Sequence, residues 1–168
     1  MYYRFVTQCA QTLRNMEIWL DKAEDHAKNK GFDVNVLMSS RLAPDMGNFM
    51  YQVQSASDYA KAAAAFLTGQ KPPKYPDNET TIEEARVRIQ KTVDFVESNL
   101  EGEYEGAGER TFPFSWSPGR LITGDDYLVQ VAVPNLYFHA CMAYTILRHN
   151  GVDVGKMDFA GPITLVAA

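Results

Sequence analysis

Between Tyr3 and Lys30 the apolar residues Val6, Cys9, Leu13, Met16, Leu20 and Ala23 return at steps of three and four. That period gathers them on one side of a helix, and Gly31 supplies the stop. Phe32 to Ala43 mixes Asp, Asn and Ser with Val36, Leu37, Met38 and Leu42 and reads as an ordered connection. A second helix is expected to open at Pro44-Asp45, with Asp45 as its cap. Its stripe of Met46, Phe49, Met50, Val53, Ala56, Ala60, Ala63, Ala64 and Leu67 ends before Gly69. Ala60 to Ala65 is interrupted only by Lys61, so a neighbouring helix can approach closely there.

The stretch from Gly69 to Asn78 holds Pro72, Pro73 and Pro76 and is expected to cross over in extended form. Thr80 or Thr81, followed by Glu83 or Glu84, makes a capping box for a third helix carrying Ile82, Ala85, Ile89, Val93, Val96 and Leu100. From Glu101 to Thr123 the glycines and prolines break helix; a short hairpin turning at Ser117-Pro118-Gly119 is expected there, confined to an edge by Pro113. A fourth helix begins at Gly124 and carries Leu128, Val131, Leu136, His139, Met142, Ala143, Ile146 and Leu147 to a stop at Asn150-Gly151. Pro134 should kink it. Four such helices with one long crossover predict an all-α four-helix bundle, a single domain over residues 1–168.

Composition narrows the function. The chain has 168 residues, 46% of them apolar and 12% aromatic, enough to bury a core without disulfides or metal. With a net charge of −5 and scattered Lys and Arg, no nucleic-acid partner and no anionic-lipid surface are expected. The opening Met1-Tyr2-Tyr3-Arg4 has the character of neither a leader nor a membrane span, and cytoplasm is the expected compartment. Cys9 and Cys141 sit among apolar neighbours and are expected to be buried, core-filling thiols.

No phosphate-binding glycine loop and no nucleophile elbow occur, which leaves the histidines. His26 and His149 lie near helix ends among polar residues, whereas His139 lies inside Leu136-Tyr137-Phe138-His139-Ala140-Cys141-Met142. Asn135 precedes it by one turn, which places an amide beside the imidazole. On the second helix Asp45, Asn48, Gln52, Ser55 and Tyr59 form a polar stripe, so Gln52 and His139 would meet between facing helices if both point inward. Trp116-Ser117-Pro118-Gly119-Arg120 offers an aromatic face and a guanidinium to a pocket mouth. Carboxamides are poor ligands for transition metals, so no metal and no other cofactor is expected at this constellation.

Pro134-Asn135-Leu136-Tyr137-Phe138-His139, Ala143-Tyr144, Ile146 to Val152 and Gly155 to Phe159 resemble the DUF1993 family, as do Leu42 to Met46, Gln52-Val53 and Gly124 to Leu128. The resemblance implies a DinB/YfiT-like four-helix bundle, many of whose relatives hold a divalent metal with three histidines. It puts His139 at one ligand position and Asn135 and Gln52 at the other two. It also implies pairing of copies through helix faces.

The expected function is binding or transforming a small organic molecule without tightly held metal. His139 would be the acid or base, with Asp45, Gln52, Asn135, Trp116 and Arg120 on the ligand. Two alternatives stand beside it: a metal-dependent transferase with an incomplete triad of His139 and Asp45, and a non-enzymatic homodimer. The apolar tail from Gly161 to Ala168 is expected to pack on the bundle or on a partner subunit.

Overall fold

A computed structural model describes residues 1–114 and 116–166; Ser115 of the expected hairpin stretch and Ala167-Ala168 of the tail lie outside the described residues. The main helices are α1 (Tyr2–Lys30), α2 (Phe49–Leu67), α3 (Ile82–Glu97), a short α4 (Gly124–Tyr127) and α5 (Val133–His149), followed by a small α6 (Lys156–Ala160). The expected stripe of α1 is the buried one, from Val6 to Ala23, and Gly31 closes the helix at φ 76° with its N–H on the Ala27 carbonyl. Thr81 and Glu84 form the capping box of α3.

The second helix starts later than its sequence suggests. Asn48, not Asp45, caps it, accepting a hydrogen bond from the Tyr51 N–H at 2.9 Å. Asp45 sits exposed in the preceding turn. A proline is tolerated in a first helical turn but does not require one, so Pro44 marked a turn here.

Polar pairs fix how the helices run. Thr68 and Gln70, just past α2, bond Asn99 beyond the end of α3, and Gln54 near the start of α2 bonds Glu79 just before α3. These two helices are therefore parallel, and the proline-rich chain between them travels back along their length. Arg14 pairs with Glu97, and Arg86 with Asp21 and Glu24, so α1 and α3 are antiparallel. Gln52 meets His139 and Phe66 meets Tyr127, which makes α2 and the last helix antiparallel. The result is an all-α bundle with one long crossover, whose interior is filled by side chains such as Leu13, Met16, Trp19, Phe49, Ile89 and Leu147. Each fully buried side chain of this size adds about 1.5–3 kcal/mol.

The expected hairpin forms. Strands β1 (Thr111–Pro113) and β2 (Leu121–Thr123) pair antiparallel with Phe112 opposite Ile122, and Gly119 takes the turn at φ 81°. Thr123 then caps α4 through the Asp126 N–H.

Between α4 and α5 the helix widens into a π turn, Leu128–Ala132, in which the Val133 N–H reaches the Leu128 carbonyl five residues back. Pro134 explains it: the ring has no N–H and would collide with the carbonyl four residues earlier, and a wider turn removes the collision. Instead of a bare kink, Pro134 sits in the first turn of a fresh helix. After α5, Phe159 of α6 stacks on Trp19 at 5.6 Å, whose indole N–H donates to the Asp158 carbonyl. Cys9 is buried as expected, but Cys141 is exposed, because the wheel set by the π turn puts Pro134, Phe138 and Cys141 on the outer side of α5.

Candidate functional site

The first turn of α2 and the middle of α5 meet at one side-chain pair. Gln52, 2% exposed, turns inward and donates from Nε2 to the Gly47 carbonyl at 2.9 Å. A carbonyl can only accept, so the amide orientation is fixed and Oε1 faces the other way, 2.8 Å from Nδ1 of His139. That nitrogen must therefore carry the proton. Nε2, with no partner among the described residues, is left as a lone-pair acceptor. The imidazole is 8% exposed, and burial pulls its pKa below the ordinary 6.5, so it is neutral at neutral pH.

His139 lies on a cleft of about 280 Å³ whose other walls are Tyr51, Gln54, Ser55, Asp58, Tyr59 and Asp77. Tyr59 stacks nearly parallel to the imidazole at 5.7 Å, and Tyr51 meets it edge-on at 5.9 Å. Burial first, then the neighbouring Tyr51 and Asp58, push the Tyr59 phenol up, so it stays protonated. A second cleft of about 230 Å³ shares Asp58 and Tyr59 and continues toward the hairpin, where Phe66, Phe112, Phe114, Trp116 and Tyr127 line it. Phe66 and Phe112 stack at 4.5 Å and Tyr127 stands edge-on to both. Each cleft alone is smaller than the usual ~300–1,000 Å³ of a ligand site, and the two joined come within it.

Behind Asp58 lies a buried cation. The Arg88 side chain is 0% exposed and bonds Asp58 at 2.6 Å, Glu79 at 3.0 Å, Asp77 at 3.1 Å and the Pro76 carbonyl at 3.2 Å. Burial alone would lower the Arg88 pKa, but Asp58, Glu79 and Asp77 outweigh it and raise it. Burial likewise pushes Glu79 up, and bonds from Gln54, its own backbone and Arg88 bring it lower than usual. Lys61 also pairs with Asp58 and lies over the Tyr75 ring at 4.3 Å, with Lys91 3.7 Å from the same ring. Arg88 and Lys61 thereby tie the crossover, Tyr75 to Glu79, to the middle of α2.

The residues expected to form a site are distributed unevenly. Gln52 and His139 come together. Asn135 lies one turn before His139, but its amide nitrogen donates to the Val131 carbonyl at 2.7 Å, inside the π turn. Trp116 reaches the aromatic cleft. Arg120 is exposed and lines neither cleft; its backbone N–H and carbonyl close the hairpin turn with Ser117 and Phe114. Asp45 is exposed and also lines neither. Sequence reasoning passed over Tyr51, Gln54, Asp58 and Asp77. Asp58 had a signal, lying one turn from Gln54 and three residues from Ser55 on the polar stripe, whereas Asp77 had none because the crossover folds back by tertiary contact.

These residues do not fit a divalent metal. Two of the three positions are carboxamides; Gln52 is spent on Gly47 and the imidazole, and Asn135 on Val131. Among the described residues no group of three or more His, Cys, Asp or Glu is arranged to hold a metal ion, and the three acids around Arg88 are taken up by its guanidinium.

The comparisons agree with this architecture. A family described as a domain of unknown function, DUF1993, matches residues 1–160. A crystal structure of a DinB family member from Shewanella denitrificans superposes with a TM-score of 0.92 at 42% identity, over 97% of this chain and 93% of that one. No curated protein matches. No helix among the described residues is long and apolar enough to cross a membrane. With an antiparallel Gln52–His139 seam and a parallel pair bridged by a long crossover, the chain belongs to the DUF1993 family and has the DinB-like bundle fold.

Proposed function

We propose that the chain binds a small organic molecule in the joined clefts between α2 and α5, and that His139 exchanges a proton with it. The observation that carries this reading is the fixed tautomer: Nδ1–H is committed to Gln52, so the neutral ring offers Nε2 as a base toward the cleft. A bound C–H, O–H or N–H group placed at Nε2 would pass its proton to that nitrogen. The resulting imidazolium keeps its Nδ1–H on the Gln52 oxygen, which stabilises the positive ring, and the same proton is then returned to another atom of the ligand. Isomerisation and reversible proton transfer are the reaction classes this supports. The aromatic cleft ending at Trp116 would hold the apolar part of the molecule. The exposed Pro134, Phe138 and Cys141 on the outside of α5 favour pairing of two copies, a question for sedimentation analysis.

Histidine-selective NMR on ¹⁵N-labelled protein tests the tautomer, and a fragment screen read on the His139 ring signals tests the cleft. The reading expects a neutral, Nδ1-protonated ring at pH 7 and fragments that shift it. A ring protonated on Nε2, or a screen in which no fragment moves the His139 signals, would overturn it.

A further inference from the structure

Resting on the cleft reading above, we infer that the ligand carries a cationic amine at the His139 end and an aromatic or alkyl body at the Trp116 end. The walls at the His139 end carry unspent hydrogen-bonding capacity, most of it for accepting. Gln54 uses its amide nitrogen on Glu79 at 2.9 Å, which leaves its Oε1 over. Asp58 receives Arg88 and Lys61 on one oxygen, Oδ1, and Asp77 receives Arg88 on one oxygen at 3.1 Å; the second oxygen of each has no described partner. His139, a residue 8% exposed that lines the cleft, adds Nε2, which has no partner among the described residues. These four groups are acceptors. Among the described residues the donors on the His139-end walls are the second N–H of Gln54 and the hydroxyls of Tyr51, Ser55 and Tyr59, and the hydroxyls also accept.

No Lys or Arg lines either cleft among the described residues. Arg88 and Lys61 are buried beneath Asp58 and consumed by it, and Arg41 lines the adjoining groove, not the cleft, with its guanidinium on the Met46 carbonyl. A carboxylate or phosphate entering here would meet two carboxylates and no cation on the cleft wall, which opposes it. An ammonium would find acceptors on several sides and the rings of Tyr51 and Tyr59 beside it, an arrangement that attracts a cation through the ring faces as well as through charge. Asp58 stands where the two clefts meet, so a charged head lodged there leaves the rest of the molecule over Phe66, Phe112 and Trp116.

The test compares phenethylamine, phenethyl alcohol and hydrocinnamate, similar in body and different in charge, by titration against the full chain with the His139 ring signals as readout. The amine is expected to bind roughly tenfold more tightly than the alcohol, and the acid more weakly than either. Asp77→Asn, which leaves Arg88 on Asp58 and Glu79, should weaken the amine severalfold and leave the alcohol unchanged. Equal or tighter binding of the acid, or an amine affinity indifferent to Asp77→Asn, would overturn the inference while the cleft reading survives. If none of the three moves the His139 signals, both readings fall.

Discussion

At the scale of single residues, the Gln52–His139 pair links stability to chemistry. Replacing Gln52 with Leu strands a buried Nδ1–H and should cost about 1–3 kcal/mol, read as a lower denaturation midpoint in urea. Gln52→Glu puts a carboxylate on the same hydrogen bond and should raise the His139 pKa, visible in the pH titration of its ring protons. The pH dependence of stability follows from the direction of the native shift. In the unfolded chain His139 takes a proton near its ordinary 6.5, and in the folded protein only at lower pH. The unfolded state therefore binds the extra proton first as pH falls, so this residue's contribution is intact above about 6.5 and is lost from there down to the native pKa. Urea unfolding from neutral pH to about pH 5 should show a slope that is shallower in His139→Phe. The sequence made His139 legible as the histidine inside an apolar helical run, and Gln52 by its place on the polar stripe of α2; that both point inward was not legible. It hid the tautomer, which depends on where the Gly47 carbonyl points, and it hid that Asn135 turns back to Val131.

At the scale of elements, the helices were legible from their periodicity, and the differences come from their ends. Pro44-Asp45 looks like a helix start, yet Asn48 holds the cap because the Ser40 carbonyl already takes the Phe49 N–H and seats the chain there. Asn48→Ala should lower stability by about 0.5–2 kcal/mol, and Asn48→Asp should restore most of it; thermal and urea unfolding check both. The cap also sets the phase of Tyr51 and Gln52, so Asn48→Ala should broaden the His139 signals as well. In the last helix a step of five between Val131 and Leu136 was the visible trace of the π turn, since regular helix steps by three or four. The short α6 was illegible: its five residues are too few for a period, and it is held by Trp19 and by Lys22 at 2.7 Å from Asp158.

At the scale of the whole molecule, charge is organised around Arg88. Exposed pairs such as Arg148–Asp153 add little, because water screens them and the side chains lose freedom in pairing. Arg88 differs because its guanidinium is fully withdrawn from solvent and three acids depend on it. Arg88→Met leaves Asp58 with Lys61 and Glu79 with Gln54 and should cost about 1–3 kcal/mol, and most of the loss should persist in high salt, where a surface pair would be masked; urea midpoints at two salt concentrations check this. No pattern of the sequence announces the cluster, since Asp58, Asp77, Glu79 and Arg88 meet only once the crossover runs back along two parallel helices. That return path also divides the crossover into unequal halves. Pro72 and Pro73 make no described hydrogen bond, whereas Tyr75, Pro76, Asp77 and Glu79 are moored to Arg88, Lys61 or Lys91. A few glycines spliced in at Pro72-Pro73 would lengthen a slack loop at an entropic cost of well under about 1 kcal/mol. The same insert at Asp77 would pull one wall out of the cleft beside His139, so the chain has a permissive graft point only a few residues from an intolerant one.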